Sequence, residues 1–281
     1  MTGKLYVVAT PIGNLKDITL RAIETLKNCD LIAAEDTRHS RHLLNHYQIK
    51  TRLISYHDHT NSRDIEKLME LLESGAKVAL ISDAGTPLIS DPGYRLVAMA
   101  RKKGVIVCPI PGVTALIAGL SVAGLPTDRF VFEGFLPAKE AARCRRLEAL
   151  AAESRTLVFY ESPHRLRVSL QAMIDVFGRS RRIFLVRELT KRHENHFYGE
   201  VEYALAWFDE NNSRGEFVII VEGSKEEVRL TSIEEKALET VLLLQEDLPV
   251  KRAVVVAALI NGVRKNSLYK LYLSKQNSMT E

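Results

Sequence analysis

The chain has 281 residues, of which 46% are hydrophobic and 26% are charged, and the 39 Lys and Arg exceed the 35 Asp and Glu by only four. This composition excludes a disordered or low-complexity chain, and its charge is far from that of a strongly basic nucleic-acid binder. At about 100–200 residues per domain, the length predicts two domains with a small appendage.

Short apolar runs alternate with helix-period segments through the first 125 residues, which is the pattern of an α/β domain. We predict strands at residues 5–9, 30–34, 78–82 and 105–108, and helices at residues 18–26, 37–47, 64–73 and 94–103. Because the strands are continuously apolar and are separated by helices, we expect a mostly parallel sheet covered on both faces.

Residues 104–127 carry no charged side chain, so a hydropathy scan would mark them as a membrane-spanning helix. Pro109, Pro111 and Gly112 interrupt this stretch. We therefore interpret it as a buried strand, a turn and a helix that starts near Val113.

A second series of elements begins after the turn residues Pro126, Thr127 and Asp128. Strands are predicted at residues 130–133, 156–160, 183–188 and 217–222, and helices at residues 139–152, 164–177 and 201–211. We expect a second α/β domain with some antiparallel pairing.

The last 50 residues change character and predict helices only, at residues 232–245, 251–260 and 266–273. Asn261 and Gly262 separate the last two, an arrangement that resembles a helix-turn-helix. The predicted domains are thus residues 1–126 and 127–226, both α/β, and a helical domain at residues 227–281.

Each predicted strand of the first domain is followed by a loop with turn residues or carboxylates, at residues 9–14, 35–38, 83–87 and 109–114. Because strand ends of a parallel sheet meet at one edge, the four loops predict one binding site. The first loop has neither a P-loop nor a GxGxxG pattern, which argues against nucleoside triphosphates and NAD. Proline withholds N–H donors, and Asp36 and Asp83 add negative charge, so the edge favours a cationic sulfonium with an adenosine.

Seven motifs closely resemble the tetrapyrrole methylase superfamily and, within it, the branch that methylates ribosomal RNA. In chain order they are LYVVATPIGNLKDIT (5–19), AAEDTR (33–38), ISYHDH (54–59), LISDAGTPLISDPG (80–93), PIPGVTA (109–115), FYESPHR (159–165) and RELTKRHE (187–194). The resemblance covers about residues 1–225, and the tail is similar to the C-terminal helical domain of that branch.

The resemblance implies two α/β domains with S-adenosylmethionine between them. It also implies 2′-O-methylation of a cytidine in 16S rRNA, at the decoding region of the small ribosomal subunit, and a homodimer. The cofactor contacts that it implies fall on Pro11, Ile12, Asp83, Gly85, Thr86, Ile89, Thr114, Ala115 and Tyr160.

Methyl transfer to a ribose hydroxyl requires alignment and is helped by a group that removes the proton. The candidates for such a catalytic group in the matched motifs include Lys191, Glu188, Glu161 and Asp36. A Lys whose pKa is lowered is one workable base, and Lys191 follows Glu188 by three residues. A structural ion pair is the alternative role for each candidate.

Other functions remain open from the residues alone. His39, His42 and His46 share one helix face near His57, Asp58 and His59, which would suit a metal-dependent hydrolase. Alternatively, these histidines belong to a basic face that contacts RNA phosphates, since basic residues also concentrate at 179–192 and 248–280. A DNA-binding regulator with the C-terminal helices, or a tetrapyrrole acceptor, are further alternatives.

The three cysteines, at positions 29, 108 and 144, form no CxxC pair. This spacing argues against a disulfide framework and against a structural zinc site. The apolar run at residues 5–9 is too short for an export signal. We therefore expect a cytoplasmic protein.

Overall fold

The computed structural model describes residues 3–57, 60–210, 215–224 and 231–277. The chain separates into two units, one ending at Gly223 and the other beginning at Ser224. The first unit contains two five-stranded sheets, and the second contains helices. The predicted boundary at residue 126 lies between the two sheets, and the division into three domains stays a prediction.

The first sheet is parallel throughout, as predicted. Its strands are β1 (Lys4–Val8), β2 (Leu31–Ala34), β3 (Leu53–Ser55), β4 (Lys77–Ile81) and β5 (Ile106–Ile110), in the spatial order β3-β2-β4-β1-β5. The helices between them are α1 (Leu20–Asn28), α2 (Thr37–His46), α3 (Ser62–Glu73) and α4 (Tyr94–Lys102). Two apolar clusters, one on each face, cover the sheet.

Both edge strands of this sheet differ from the prediction. The strand predicted to end at residue 108 continues through Pro109 to Ile110. Proline is tolerated there because β5 is an edge strand, where one side of the backbone needs no partner. The short strand β3, at the other edge, is not predicted because three residues carry almost no periodicity.

The uncharged stretch forms β5, a turn and helix α5 (Ala115–Val122), as expected. Although α5 follows a strand of the first sheet, its residues Leu116 and Leu120 pack against Val158, Val218 and Ile220 of the second sheet. The turn before α5 is therefore held where the two sheets meet. Among the described residues, no helix is long and apolar enough to cross a membrane.

The second sheet is mixed, which confirms the antiparallel pairing that was expected. Its strands are β6 (Phe130–Phe135), β7 (Thr156–Glu161), β8 (Arg182–Arg187), β9 (Asn195–Glu200) and β10 (Phe217–Val221), in the order β6-β7-β10-β8-β9. Among the strand pairs that the structure describes in this sheet, β6 and β7 are parallel and the other three are antiparallel. The helices of this part are α6 (Glu140–Leu150), α7 (Pro163–Phe177) and α8 (Val201–Glu210). The polar edge strand β9 is not predicted.

The second unit consists of α9 (Thr231–Leu244), α10 (Val250–Asn261) and α11 (Lys265–Asn277), close to the predicted helices. Its core joins residues from all three, among them Leu238, Val254 and Leu268. Gly262 ends α10 with a φ of 66°, a left-handed conformation that glycine adopts without strain.

Candidate active site

The loops after β1, β4 and β5 are joined to one another at the C-terminal edge of the first sheet. Thr10 and Gly85 exchange two backbone hydrogen bonds, of 2.9 and 3.1 Å. The hydroxyl of Thr86 donates to the carbonyl of Val113 at 3.2 Å. These bonds join the loops after three neighbouring strands of the sheet, in the spatial order β4-β1-β5.

Asp36 ties the loop after β2 to the same edge. Its backbone N–H donates to Asp83 Oδ1 at 2.9 Å, and its carboxylate caps α2 by accepting from the Arg38 N–H at 2.8 Å. The hydrogen bonds from Arg38 hold the pKa of Asp36 below its usual value. All four loops therefore meet, as predicted, and Asp36 has a structural position among them.

A cavity of about 300 Å³ lies between these loops and the second sheet. Seven of the nine residues that the resemblance assigns to the cofactor line it, namely Ile12, Gly85, Thr86, Ile89, Thr114, Ala115 and Tyr160. The other two, Pro11 and Asp83, line a neighbouring pocket. The assigned residues are thus brought together, while their contacts with a cofactor stay a prediction.

Tyr160 joins the second sheet to the start of α5. Its hydroxyl accepts the backbone N–H of Leu116 at 2.9 Å and lies 3.4 Å from the hydroxyl of Thr114. Burial, more than any other influence, raises the pKa of Tyr160, so the phenol stays protonated at neutral pH. This bond fixes one wall of the cavity.

Backbone conformations around the cavity are unusual. Gly85 has a φ of 82°, and a Cβ there would approach the Ile12 side chain to 3.2 Å. Five described non-glycine residues also have positive φ, and all but Gln48 belong to segments that contribute to the cavity wall: Leu88, Ser90, Glu188 and Thr190. Each such residue costs about 1–3 kcal/mol, and strain of this kind clusters at functional sites.

Lys191 lies between the two carboxylates of Glu188 and Glu216. Its Nζ donates to Glu188 Oε1 at 2.9 Å and to Glu216 Oε2 at 3.2 Å. Gly13 leaves room for the Lys191 side chain, because a Cβ at Gly13 would lie 2.2 Å from Lys191 Cγ. The ammonium is therefore held at the edge of the first sheet by groups of the second.

The lowered pKa proposed for Lys191 is wrong. Burial lowers the pKa, but the hydrogen bond to Glu188 and the charge of Glu216 outweigh it, so the pKa is raised. Glu188, although partly buried, has a pKa that is lowered by its hydrogen bonds with Lys191 and the Glu216 N–H. Lys191 is thus a cation at neutral pH and has no lone pair with which to accept a proton.

Glu161 lines the cavity at the end of β7, and its carboxylate is fully engaged. The Ser169 hydroxyl donates to it at 2.6 Å and the Ser162 N–H at 2.9 Å. The Arg165 guanidinium lies 3.5 Å away. These bonds anchor the start of α7 on the cavity wall.

Several residues that line the cavity are not singled out by the sequence: Ser90, Asp91, Phe135, Leu189, Glu216 and Val218. Burial, above all, raises the pKa of Asp91 to about 6. A hydrogen bond with Ser82 opposes the shift, and repulsion from Asp83 and Glu216 adds to it. Asp91 stands in the same motif as Asp83, which could have marked it, whereas Glu216 lies in no matched motif.

A second pocket, of about 510 Å³, lies beside the N-terminal half of α2. It is lined by Thr10, Pro11, Gly13, Leu15, Arg38, His39, Ser40, His42, Leu43, Ser82, Asp83 and Lys191. Among the residues that line these two pockets, Lys191 alone is common to both. We refer to the two as the cleft cavity and the α2 pocket.

The histidines do not form a metal centre in the part of the chain that the structure describes. No group of three His, Cys, Asp or Glu side chains there is placed to hold a metal ion. His39 and His42 line the α2 pocket, and the ring of His46 packs edge-on against Tyr47 at 4.7 Å. Asp58 and His59, which were part of the same hypothesis, lie outside the described residues.

Comparison with known protein families covers both units. The family described as Tetrapyrrole (Corrin/Porphyrin) Methylases matches residues 4–205. The family described as RsmI C-terminal HTH domain matches residues 231–276, which agrees with the helix-turn-helix that the sequence resembles.

Two curated relatives match nearly the whole chain. Ribosomal RNA small subunit methyltransferase I of Escherichia coli O157:H7 is 52% identical over 98% of this chain and 96% of that protein. The protein of the same name from Pseudomonas aeruginosa is 51% identical over 98% of each chain.

Solved structures share the fold of the first unit. Uroporphyrin-III-C-methyltransferase from Thermus thermophilus has a TM-score of 0.58 and 22% identity, covering 78% of this chain and 94% of that one. A structure of the Thermus enzyme complexed with S-adenyl homocysteine has a TM-score of 0.55 and 20% identity, covering 78% and 97%.

Proposed function

The chain belongs to the tetrapyrrole methylase family and, within it, to the ribosomal RNA small subunit methyltransferase I enzymes, and on that basis we propose that it methylates 16S rRNA with S-adenosylmethionine. The acceptor in this proposal is the ribose 2′-hydroxyl of a cytidine at the decoding region. The identity to the named relatives over nearly the full chain, including the C-terminal helices, carries the proposal.

The residues of the cleft cavity fit such a cofactor. S-adenosylmethionine supplies a methyl group attached to a positively charged sulfur. Three carboxylates (Asp91, Glu161 and Glu216) and one ammonium (Lys191) are the charged groups that line the cavity, and this excess of negative charge would attract a cation. The absent side chain at Gly85 leaves space beside Ile12 and Val113. Pro11 and Asp83, the other two residues assigned to the cofactor, belong to the same loops but line the α2 pocket.

Lys191 is the residue best placed to assist the transfer. The hydroxyl proton would leave to water, and the ribose oxygen would form a bond to the methyl carbon while the electron pair of the broken carbon–sulfur bond stays on sulfur. The oxygen is negatively charged once the proton has left and is neutralised as the new bond forms, so the Lys191 ammonium would act by stabilising that alkoxide. Glu188 orients the ammonium. Glu161 and Asp36 act as positioning residues for α7 and α2.

The alternative acceptor, a tetrapyrrole, and the two alternative functions have less support. The tetrapyrrole methyltransferases share the fold at 22% identity or less, whereas the relatives named for ribosomal RNA share about half of the residues. A metal-dependent hydrolase would leave the cleft cavity and its carboxylates without a role. The DNA-binding regulator would leave the whole first unit unexplained.

The remaining features of the proposal follow from the resemblance. We infer that the enzyme works in the cytoplasm on the assembled small ribosomal subunit and forms a homodimer. Sedimentation analysis of the purified chain tests the dimer, which is overturned by a monomer at working concentrations. Equal methylation rates for naked 16S rRNA and for assembled subunits would overturn the inference that the assembled subunit is the substrate.

The central experiment uses labelled S-adenosylmethionine and small subunits from a strain that lacks the enzyme. We expect label on one cytidine ribose of 16S rRNA, located by hydrolysis and chromatography of the nucleosides. Subunits from the parent strain, whose site is already methylated, are the control and should accept no label. A wild-type chain that transfers no label to 16S rRNA would overturn the proposed function.

A further inference from the structure

The α2 pocket is larger than the cleft cavity and has a different chemistry. Its volume of about 510 Å³ falls within the roughly 300–1,000 Å³ typical of small-molecule sites. The charged side chains that line the cleft cavity are three carboxylates and the Lys191 ammonium. The α2 pocket is lined by Arg38, Lys191, His39 and His42 and by a single carboxylate, that of Asp83. A site of this kind favours a ligand with negative charge.

Ser40 supplies a second observation. Its side chain lines the α2 pocket and is only 3% exposed. Its hydroxyl oxygen is buried, and no hydrogen-bond partner for it exists among the described residues. Because a buried hydroxyl without a partner costs free energy, an unpaired one in a pocket wall indicates a ligand that supplies the missing bond.

Arg38 is available to a ligand despite its ion pair. Its side chain is 88% exposed, and its Nε and Nη2 donate to the two Asp36 oxygens at 3.4 and 3.3 Å, which leaves Nη1 and part of Nη2 for a ligand. Exposed pairs of this kind are worth little, so a phosphate can compete for the remaining donors of the fork. His39 and His42 are also exposed, and a histidine ring can stack on a nucleobase.

The connection to the cleft cavity runs through Lys191. This residue lines both pockets, and its ammonium is fixed by Glu188 and Glu216. A group bound in the α2 pocket therefore meets the same cation as a group bound in the cleft cavity. An acceptor bound in the α2 pocket must therefore extend its hydroxyl past Lys191 to the methyl donor in the cleft cavity.

We propose that the α2 pocket binds the acceptor nucleotide as a single-stranded, unstacked ribonucleotide, with its phosphate at Arg38 and its base against His39 and His42. This inference rests on the proposed function and adds the place of the acceptor. Ser40 donates its hydroxyl to the ribose or the base. Sequence-specific RNA recognition commonly uses such splayed nucleotides, because their edges are exposed for hydrogen bonding.

The test compares two double variants of the same helix. Arg38→Ala with His42→Ala removes two side chains from the α2 pocket. Arg41→Ala with His46→Ala removes the same residue types from α2 at exposed positions that do not line the pocket. Both variants lose the same charge, so a general attraction to RNA affects them alike.

Three quantities are measured: the dissociation constant for unmethylated small subunits in the presence of S-adenosylhomocysteine, the KM for subunits, and the dissociation constant for S-adenosylmethionine. The pocket variant should weaken subunit binding and raise KM by about tenfold or more, as loss of a phosphate contact and a stacking contact predicts. The control variant should change them less than threefold, and cofactor binding should be unaffected in both.

Equal effects of the two double variants on subunit binding and KM would overturn the inference. Failure of the wild-type chain to label 16S rRNA overturns the proposed function instead, so the two failures are distinguishable. Ser40→Ala serves as a milder third variant. It should raise KM for subunits about threefold, because one hydrogen bond is lost, and an unchanged KM would remove Ser40 from the proposal.

Discussion

The cleft cavity and the α2 pocket lie at the same edge of one parallel sheet, yet their linings differ in charge. Carboxylates from loops and from the second sheet line the cleft cavity. The α2 pocket instead has one carboxylate, that of Asp83, with Arg38 and two histidines from the first turns of α2. In the proposal, the same sheet edge thus binds a cationic cofactor in one pocket and the phosphate of the acceptor in the other. Lys191 lines both pockets, so changes at this residue test how the two pockets work together.

Removing the shared cation should have the largest effect. We expect Lys191→Met to lower the single-turnover rate of rRNA methylation by about 10²-fold, because the fixed charge that stabilises the deprotonated ribose hydroxyl is lost. Arg192→Met is the matched control, since Arg192 is an exposed neighbouring cation that lines neither pocket. An unchanged single-turnover rate in Lys191→Met would exclude Lys191 from catalysis.

Displacing the cation without removing it should have a smaller effect. A methyl group at Gly13 would lie 2.2 Å from Lys191 Cγ, so Gly13→Ala must move the side chain. We expect the single-turnover rate to fall about tenfold, since a small misplacement at a reacting centre costs rate.

A double-mutant cycle distinguishes this mechanism from general damage to the loop. Once Lys191 is replaced by Met, the added methyl at Gly13 has no ammonium to displace. The double variant should therefore be no slower than Lys191→Met alone. Fully additive losses would show that Gly13→Ala acts through another route.

Local periodicity and turn residues were enough to place most elements of both sheets and the helices of the tail. They failed where the cause is not local. Pro109 marks a strand end in sequence, but the edge position of β5 lets the strand continue. Helix α5 was assigned to the first domain, yet its apolar face packs on the second sheet. The residue pattern of a helix predicts which face is apolar, but it does not predict which of two sheets that face will pack against.

The candidate site also contains residues that the sequence motifs mark and residues that only the fold brings into place. Residues inside the matched motifs, such as Thr86 and Tyr160, do line the cleft cavity. Glu216 lies 25 positions beyond Lys191, and only the folding of β10 beside β8 brings its carboxylate within 3.2 Å of Nζ. The pKa of Lys191 is raised by the hydrogen bond to Glu188 and by the charge of Glu216, and only the first of these two partners stands in the same motif as Lys191.

The acidity of the cleft cavity can be tested through pH. Asp91 has a pKa of about 6, so its carboxyl is mostly ionised above pH 6 and mostly neutral below it. The nearby charges of Asp83 and Glu216 oppose its ionisation, whereas a bound cation favours it. Affinity for S-adenosylmethionine should therefore fall as the pH drops from 7 to 5, by about three- to tenfold.

S-adenosylhomocysteine is the control for this prediction, since its sulfur carries no charge. Its affinity should change less over the same pH range. Asp91→Asn should weaken S-adenosylmethionine binding at pH 7 and flatten its pH dependence, as measured by calorimetry. Parallel pH profiles for the two ligands in the wild-type chain would show that Asp91 does not discriminate by charge.

The smallest expected effect concerns the wall that the cavity shares with α5. Tyr160→Phe removes the acceptor of the Leu116 N–H, and Leu116 is a buried residue. We expect unfolding free energy to fall by about 1–2 kcal/mol, the usual cost of an unmade buried hydrogen bond. Urea denaturation of the variant measures this loss. Tyr203→Phe is the control, because Tyr203 is 59% exposed. Equal stability of the two variants would mean that Tyr160 is not what holds α5 against the second sheet.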